Sequence, residues 1–183
     1  MMNVFRQFLI LFALFLALWA SVSCAGVTTA EMKIKVVFLF NFAKFVEWPD
    51  SRFTNDNSSV HICLTGNDSE FTIARQLEGK MAKGRIVSLE FVGSKTDLGH
   101  CHILFITQVK KKEIVSYVSA TQEQSILTVG QSPYFSDVGG VINLVNIGNK
   151  IRFEVNLTEA KKKSLNISSK LLRLARNVRF EER

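Results

Sequence analysis

The stretch FLFNFAKFVEWPD, Phe38–Asp50, decides how this chain is built, because it admits a membrane span, a buried helix or an exposed partner surface. The apolar run leading into it, Val36–Phe40, is only five residues long before Asn41, and Lys33, Lys35, Lys44 and Glu47 flank it. A bilayer crossing needs about 20 predominantly apolar residues in a row. A membrane span is therefore excluded here. Upstream, Thr28 and Glu31 stand three apart as a capping box, which predicts a helix opening at Thr28. Pro49 disfavours helix at Trp48, so the helix is expected to end near Glu47. Apolar nearly all round, with Asn41 and Lys44 on one narrow polar edge, it is expected to be mostly buried.

Toward the amino terminus, Met1–Phe8 carries one positive charge, Arg6, and LILFALFLALWA, Leu9–Ala20, is an apolar run of signal-peptide length. SVSCAG, Ser21–Gly26, then supplies small residues. A basic start, a short apolar run and a small-residue exit describe a secretory signal rather than a transmembrane helix. Residues 1–25 are expected to be removed, with cleavage after Ser23 or Ala25. The alternative is a lipid-modified amino terminus at Cys24, although Ser21 occupies the place where such a box prefers Leu. The remaining residues, 26–183, are read as one exported domain, periplasmic in a bacterium.

Without Arg6 the chain keeps 22 Lys+Arg against 16 Asp+Glu, a net of +6. Export separates that charge from nucleic acid and points to an anionic membrane surface or an acidic partner protein, with plain solubility as the simplest explanation. Cys63 and Cys101 remain as one pair, 38 residues apart, with no CxxC anywhere. In an oxidising compartment a structural disulfide is the default, and it would restrain the unfolded chain by roughly 3–4 kcal/mol.

The rest of the chain alternates. SRFTNDNSS, Ser51–Ser59, is a polar loop, and VHICLTG, Val60–Gly66, is a buried strand. NDSEFTIARQLEG reads as a helix opened by Asn67 or Asp68 and stopped at Gly79. GRIVSLEFVG, Gly84–Gly93, and the wholly apolar HILFIT, His102–Thr107, read as strands, the latter of the parallel-sheet kind. KKKEIVSYVSAT is an amphipathic helix and SILTVG, Ser125–Gly130, a further buried strand. VINLVNI and KIRFEVNL, joined at Gly148–Asn149, predict a hairpin, and Thr158–Arg183 is expected to be helical. The fold class is α/β, a single-domain sandwich of mainly parallel sheet with an antiparallel C-terminal hairpin and helices on both faces.

Chemistry-bearing motifs are sparse. GxGxxG, Walker, HExxH and GxSxG patterns are absent from the sequence. Gly139–Gly140 reads as a tight turn rather than a phosphate cradle, because no helix start follows it. His61, Cys63, Cys101 and a second histidine from GHCHILF could hold a metal, but oxidation of the cysteines removes the thiolates; no metal and no cofactor are expected. SSKLLRLARNVRF, Ser168–Phe180, places Leu171, Leu174, Ala175 and Val178 in a helical stripe with Lys170, Arg173, Arg176 and Arg179 largely away from it. That is either an ordinary terminal helix or a basic docking face. A Ser-Lys dyad there lacks a third group, and no enzyme is expected.

Several segments together resemble one family. VVFLFNFAKFVEWP, ICLTGND, CHILFIT, ILTVG with FSDVGGVINLV, and IRFEVNLTEAKKKSLNISSKLLRLARNV are, in that order, similar to the YfiR family of exported bacterial proteins, from about Ala30 to Val178. The resemblance implies a compact α/β domain and a periplasmic, non-catalytic inhibitor of the membrane diguanylate cyclase YfiN. It also implies a homodimer and an outer-membrane lipoprotein, YfiB, that sequesters the inhibitor and releases cyclic di-GMP synthesis and biofilm formation. Cys63 and Cys101 match the family's recurring disulfide position, whereas the second, hairpin disulfide of some members has no cysteines here. The partner surface is placed on the terminal helix and the turn before it, at Glu159, Leu165, Lys170, Arg173 and Arg176. The rival function is a small-molecule-binding sensor module with its cleft at the carboxyl ends of the strands, near Gly66, Thr107 and Gly130.

Overall fold

The computed structural model describes residues 25–55, 57–93, 97–107 and 110–180. The expected signal segment, up to and including Cys24, lies outside the described residues. Helix α1 runs Ala25–Phe45, so Thr28 lies within it rather than at its start. It buries Met32, Val36, Leu39, Phe42 and Ala43, three or four residues apart, in the main core. Ile34 and Val37 on its other side stand in solvent, Val37 at 58% exposure. The expectation of a mostly buried helix is thus corrected to a helix buried along one face, because a single sheet face receives it. Among the described residues, no helix is long and apolar enough to cross a membrane.

Before Pro49 the chain leaves the helix two residues earlier than expected. Val46–Glu47 forms strand β1, paired antiparallel with a short strand near the C-terminus, Val46 against Ile167 and Glu47 against Asn166. A polar loop leads to β2 (Val60–Leu64), then α2 (Asp68–Ala74), whose Asn67 cap accepts the Glu70 N–H at 3.0 Å. Next comes a hairpin the sequence did not announce: β3 (Met81–Ala82) and β4 (Arg85–Phe91) turn through Lys83 and Gly84, both with positive φ. That is the type I′ geometry whose twist matches the flanking strands. Strand β5 (Ile103–Phe105), α3 (Lys111–Ala120), β6 (Leu127–Gly130), β7 (Ile142–Ile147) and β8 (Lys150–Asn156) follow as expected, with Gly148 at positive φ in the β7–β8 turn.

The C-terminal segment departs from expectation. In place of a wholly helical tail there are α4 (Leu157–Lys162), β9 (Asn166–Ile167), the single turn α5 (Ser169–Leu172) and β10 (Asn177–Arg179). Strand β10 pairs parallel with β8, and the Arg176 N–H donates to the Phe153 carbonyl at 2.8 Å. The outer edge of β8 offers unpaired backbone groups, and satisfying them outweighs the helical preference of the Leu stripe.

The main sheet has the order β10-β8-β7-β6-β5-β2-β4-β3. Strands β4, β2, β5, β6 and β7 run parallel, while β3 and β8 are antiparallel to their inner neighbours. Alternation along the strands feeds two cores. Ile62, Leu64, Ile103, Phe105, Leu127 and Val129 face α1, where Phe38, Phe42 and Phe153 cluster with ring centroids 5.4–6.0 Å apart. Cys63, Leu104 and Ile106 face the other way, against Ile114, Tyr117 and Val118 of α3. Helices cover both faces, the sandwich the sequence predicts.

Candidate functional site

Three places carry polar chemistry: the two ends of the parallel strands and the C-terminal limb, residues 157–180. Toward the amino ends, Cys101, just before β5, is joined to Cys63 within β2 in a disulfide with a Cα–Cα separation of 5.8 Å. Because β2 and β5 are hydrogen-bonded neighbours, the bridge ties adjacent strands, as expected for this pair. His100 Nε2 lies 3.8 Å from each sulfur and 2.7 Å from Glu90 Oε2. His61 and His102, on facing positions of β2 and its neighbour, stack at 5.8 Å, and Phe53 covers the other side of His102 at 4.7 Å. The His61 N–H donates to His102 Nδ1 at 3.2 Å, and His61 Nδ1 meets Ser88 Oγ at 2.8 Å. His102 Nε2 is buried and makes no hydrogen bond.

Burial dominates the electrostatics of this end. Desolvation, helped by Arg52 and His61, pushes the His102 pKa down to about 3, and desolvation with the neighbouring His100 lowers that of His61. Arg52 donates to the carbonyls of Gly99 at 2.8 Å and Cys101 at 2.6 Å, which pins the turn Asp50–Arg52 onto the disulfide segment. Such a stack is a packed, neutral unit, and His102 is not poised to exchange protons at neutral pH.

At the carboxyl ends lies a hollow of about 440 Å³, lined by residues that include Glu31, Lys35, Glu70, Gln131 and Asn143. Lys35 is only 8% exposed; it pairs with Glu31 and donates to Gln131 Oε1. Gln131 Nε2 donates to Thr107 Oγ1 at 2.7 Å, which donates to Glu70 Oε1 at 3.2 Å. The hydrogen bond from Lys35 holds the Glu31 carboxyl below the usual carboxylate range. The cleft expected near Gly66, Thr107 and Gly130 thus opens one step aside. A Cβ on Gly66 would fall 2.5 Å from Glu70 Oε2, and one on Gly130 2.3 Å from the Phe135 ring. Gly140 meets the opposite edge of that ring, where a Cβ would lie at 2.2 Å. Gly139 does make a turn, with φ of +94°, but Gly140 is there for Phe135.

The limb scatters the residues expected to form a partner surface. Glu159 sits in the first turn of α4, accepting the Lys162 ammonium at 2.7 Å. Leu165 is only 3% exposed and belongs to the main core, so no partner touches it without rearrangement. Lys170 and Arg173 are exposed around α5. Arg176 pairs with Glu154 at 3.0 Å and Arg179 with Asp137 at 2.9 Å, so these two cations fasten β10. Leu174, assigned by its spacing to a buried stripe, stands 68% exposed, because the chain leaves helix at Arg173. Lys163 is buried and donates to the Thr121 carbonyl; desolvation lowers its pKa to about 8, against the upward pull of Glu159.

An α/β domain with two stacked histidines, one strand-tying disulfide and exposed cations on its C-terminal limb has the make-up of a binding module. A family model described as YfiR/HmsC-like matches residues 32–176, and the chain belongs to that family. The family is in general regulatory and non-catalytic, and periplasmic. No curated protein matches the chain.

Proposed function

We propose that the protein is an exported, non-catalytic regulator that binds the periplasmic part of an inner-membrane diguanylate cyclase of the YfiN kind. Binding holds the cyclase inactive and lowers cyclic di-GMP and biofilm formation, and an outer-membrane lipoprotein of the YfiB kind competes for the regulator. The protein acts as a homodimer in this scheme. The observation that carries it is the family match over residues 32–176. The limb supports it: Leu174 is 68% exposed, and the exposed Lys170 and Arg173 lie close to it in sequence. Such a patch suits an acidic protein surface close to an anionic membrane. The test is capture of the host's detergent-solubilised cyclase on the tagged protein. Wild type should retain it, and Leu174→Glu with Arg173→Glu should weaken retention at least about tenfold, as for loss of an anchor residue worth 1–2 kcal/mol. Failure of the wild type to retain any membrane cyclase would sink the proposal.

The hollow at the carboxyl ends favours a second reading, a small-molecule sensor, because it combines a buried ammonium, two carboxylates and three amides. A metabolite panel that raised the melting temperature of wild type but not of Lys35→Met would support it.

A further inference from the structure

The disulfide and its surroundings contain more donor atoms than a covalent tie needs. Cys63 of β2 lies directly across from Glu90 of β4 in the parallel register, so both side chains share a sheet face. The ligand atoms of Cys63, His100 and Cys101 all lie within 4.8 Å of one another, and Glu90 Oε2 is 2.7 Å from His100 Nε2. We propose that reduction of the Cys63–Cys101 disulfide opens a four-ligand site for a thiophilic divalent cation of the zinc type, formed by Cys63, Cys101, His100 and Glu90.

Two thiolates, one imidazole and one carboxylate are ligand types that zinc accepts in tetrahedral array. With Zn–S near 2.3 Å and Zn–N near 2.0 Å, sulfur and nitrogen ligands stand roughly 3.5 Å apart. The observed sulfur to His100 distances of 3.8 Å are already close to that. The remaining motion is small. The two sulfurs separate from bonding distance to about 3.7 Å, and Glu90 backs away from His100 by about half an ångström. Both sulfurs are buried, whereas the side chains of His100 and Glu90 are 38% and 46% exposed, so the ion enters from their side. Strands β2, β4 and β5 carry or adjoin all the ligands, which gives the site a rigid frame.

The redox step balances with a dithiol as reductant. It gives two electrons and two protons to the bridge and closes into its own disulfide; the S–S bond breaks and two Cys thiols form. Zinc then displaces the two thiol protons to solvent as the two Zn–S bonds form. One cysteine pair thus ties the strands covalently when oxidised and through the ion when reduced. This inference is independent of the regulator proposal, and either can fail alone.

The test uses the mature protein, reduced with a water-soluble phosphine that leaves no competing thiol, and titrated anaerobically with Co²⁺ and then Zn²⁺. The reduced protein should bind cobalt one-to-one, with a thiolate-to-cobalt charge-transfer band and the intense visible bands of a tetrahedral ion. Zinc should bleach both, and the oxidised protein should show neither. His100→Ala and Glu90→Gln should each weaken zinc binding by about 10- to 100-fold, and more for His100. Equal affinity in the reduced and oxidised forms, or cobalt spectra unchanged in His100→Ala, would overturn the proposal. If reduction alone unfolds the chain, stoichiometric zinc must restore the native near-ultraviolet circular dichroism in wild type and not in His100→Ala. Absence of that recovery overturns it as well.

Discussion

The amino edge of the parallel sheet and the C-terminal limb handle charge in opposite ways. At the edge His102 is held neutral by burial, the cysteines are joined, and Arg52 gives its donors to the carbonyls of Gly99 and Cys101. On the limb Lys170 and Arg173 extend into water beside Leu174. Removing a charge from water makes folding depend on it, so the edge governs stability and its response to pH. A cation left in water contributes little to stability and remains available to a partner. The two regions should therefore answer substitution in different assays.

Opening the clamp should have the largest effect. Replacing both Cys63 and Cys101 by Ala should cost about 4 kcal/mol in urea unfolding, the entropy of a loop of this size. For a chain of this length the melting temperature should fall by roughly 10 °C. A loss under about 1 kcal/mol would mean that packing, not the bridge, holds β2 against β5.

Acid should come next. The folded pKa of His102, about 3, lies below its unfolded value near 6.5, so the unfolded chain binds the proton first as pH falls. The stabilisation is complete above about pH 6.5 and is lost between there and about pH 3, with His61 adding in the same direction. Urea midpoints in that window should flatten in His102→Asn, which keeps an acceptor for the His61 N–H but does not titrate. An equally steep acid limb in the variant would assign the loss to other groups.

Gly140→Ala should cost about 2 kcal/mol, since its Cβ would sit 2.2 Å from Phe135 and a closed core cannot yield that much. Phe135→Leu in the same chain should recover part of it, by calorimetry of the single and double variants. Smaller again, Lys163 has a folded pKa near 8 against 10.5, so stability should rise with pH between those values. Urea midpoints should climb across that window in wild type, and Lys163→Met should abolish the climb. Least of all, Arg173→Glu should move stability by under about 0.5 kcal/mol while weakening retention of the cyclase. A large loss of stability there would erase the contrast between the two regions.

The centre of the fold was legible because strands buried on both faces read as continuous apolar runs, as HILFIT and SILTVG do. The disulfide was legible from the cysteine count and the compartment, and the hairpin from Gly148–Asn149. The limb was misread because Leu171, Leu174, Ala175 and Val178 carry a true helical period, yet the free edge of β8 and the carboxylates of Glu154 and Asp137 draw Arg176 and Arg179 into a strand. Local spacing cannot register an edge formed twenty residues away in sequence. The hydrogen bond from Lys35 to Gln131, 96 residues away, is a long-range contact of the same kind, without any local signal. The β3–β4 hairpin was missed because Lys83–Gly84 lacks the Asn or Asp that usually marks a type I′ turn.

The most direct test of the proposed brake on a membrane cyclase is cellular cyclic di-GMP in the protein's own host after deletion of its gene, with complementation by wild type and by Leu174→Glu/Arg173→Glu. The account predicts a rise on deletion that wild type reverses and the limb variant, folded and exported, does not. An unchanged level, with wild-type protein shown to be made and exported, would contradict it.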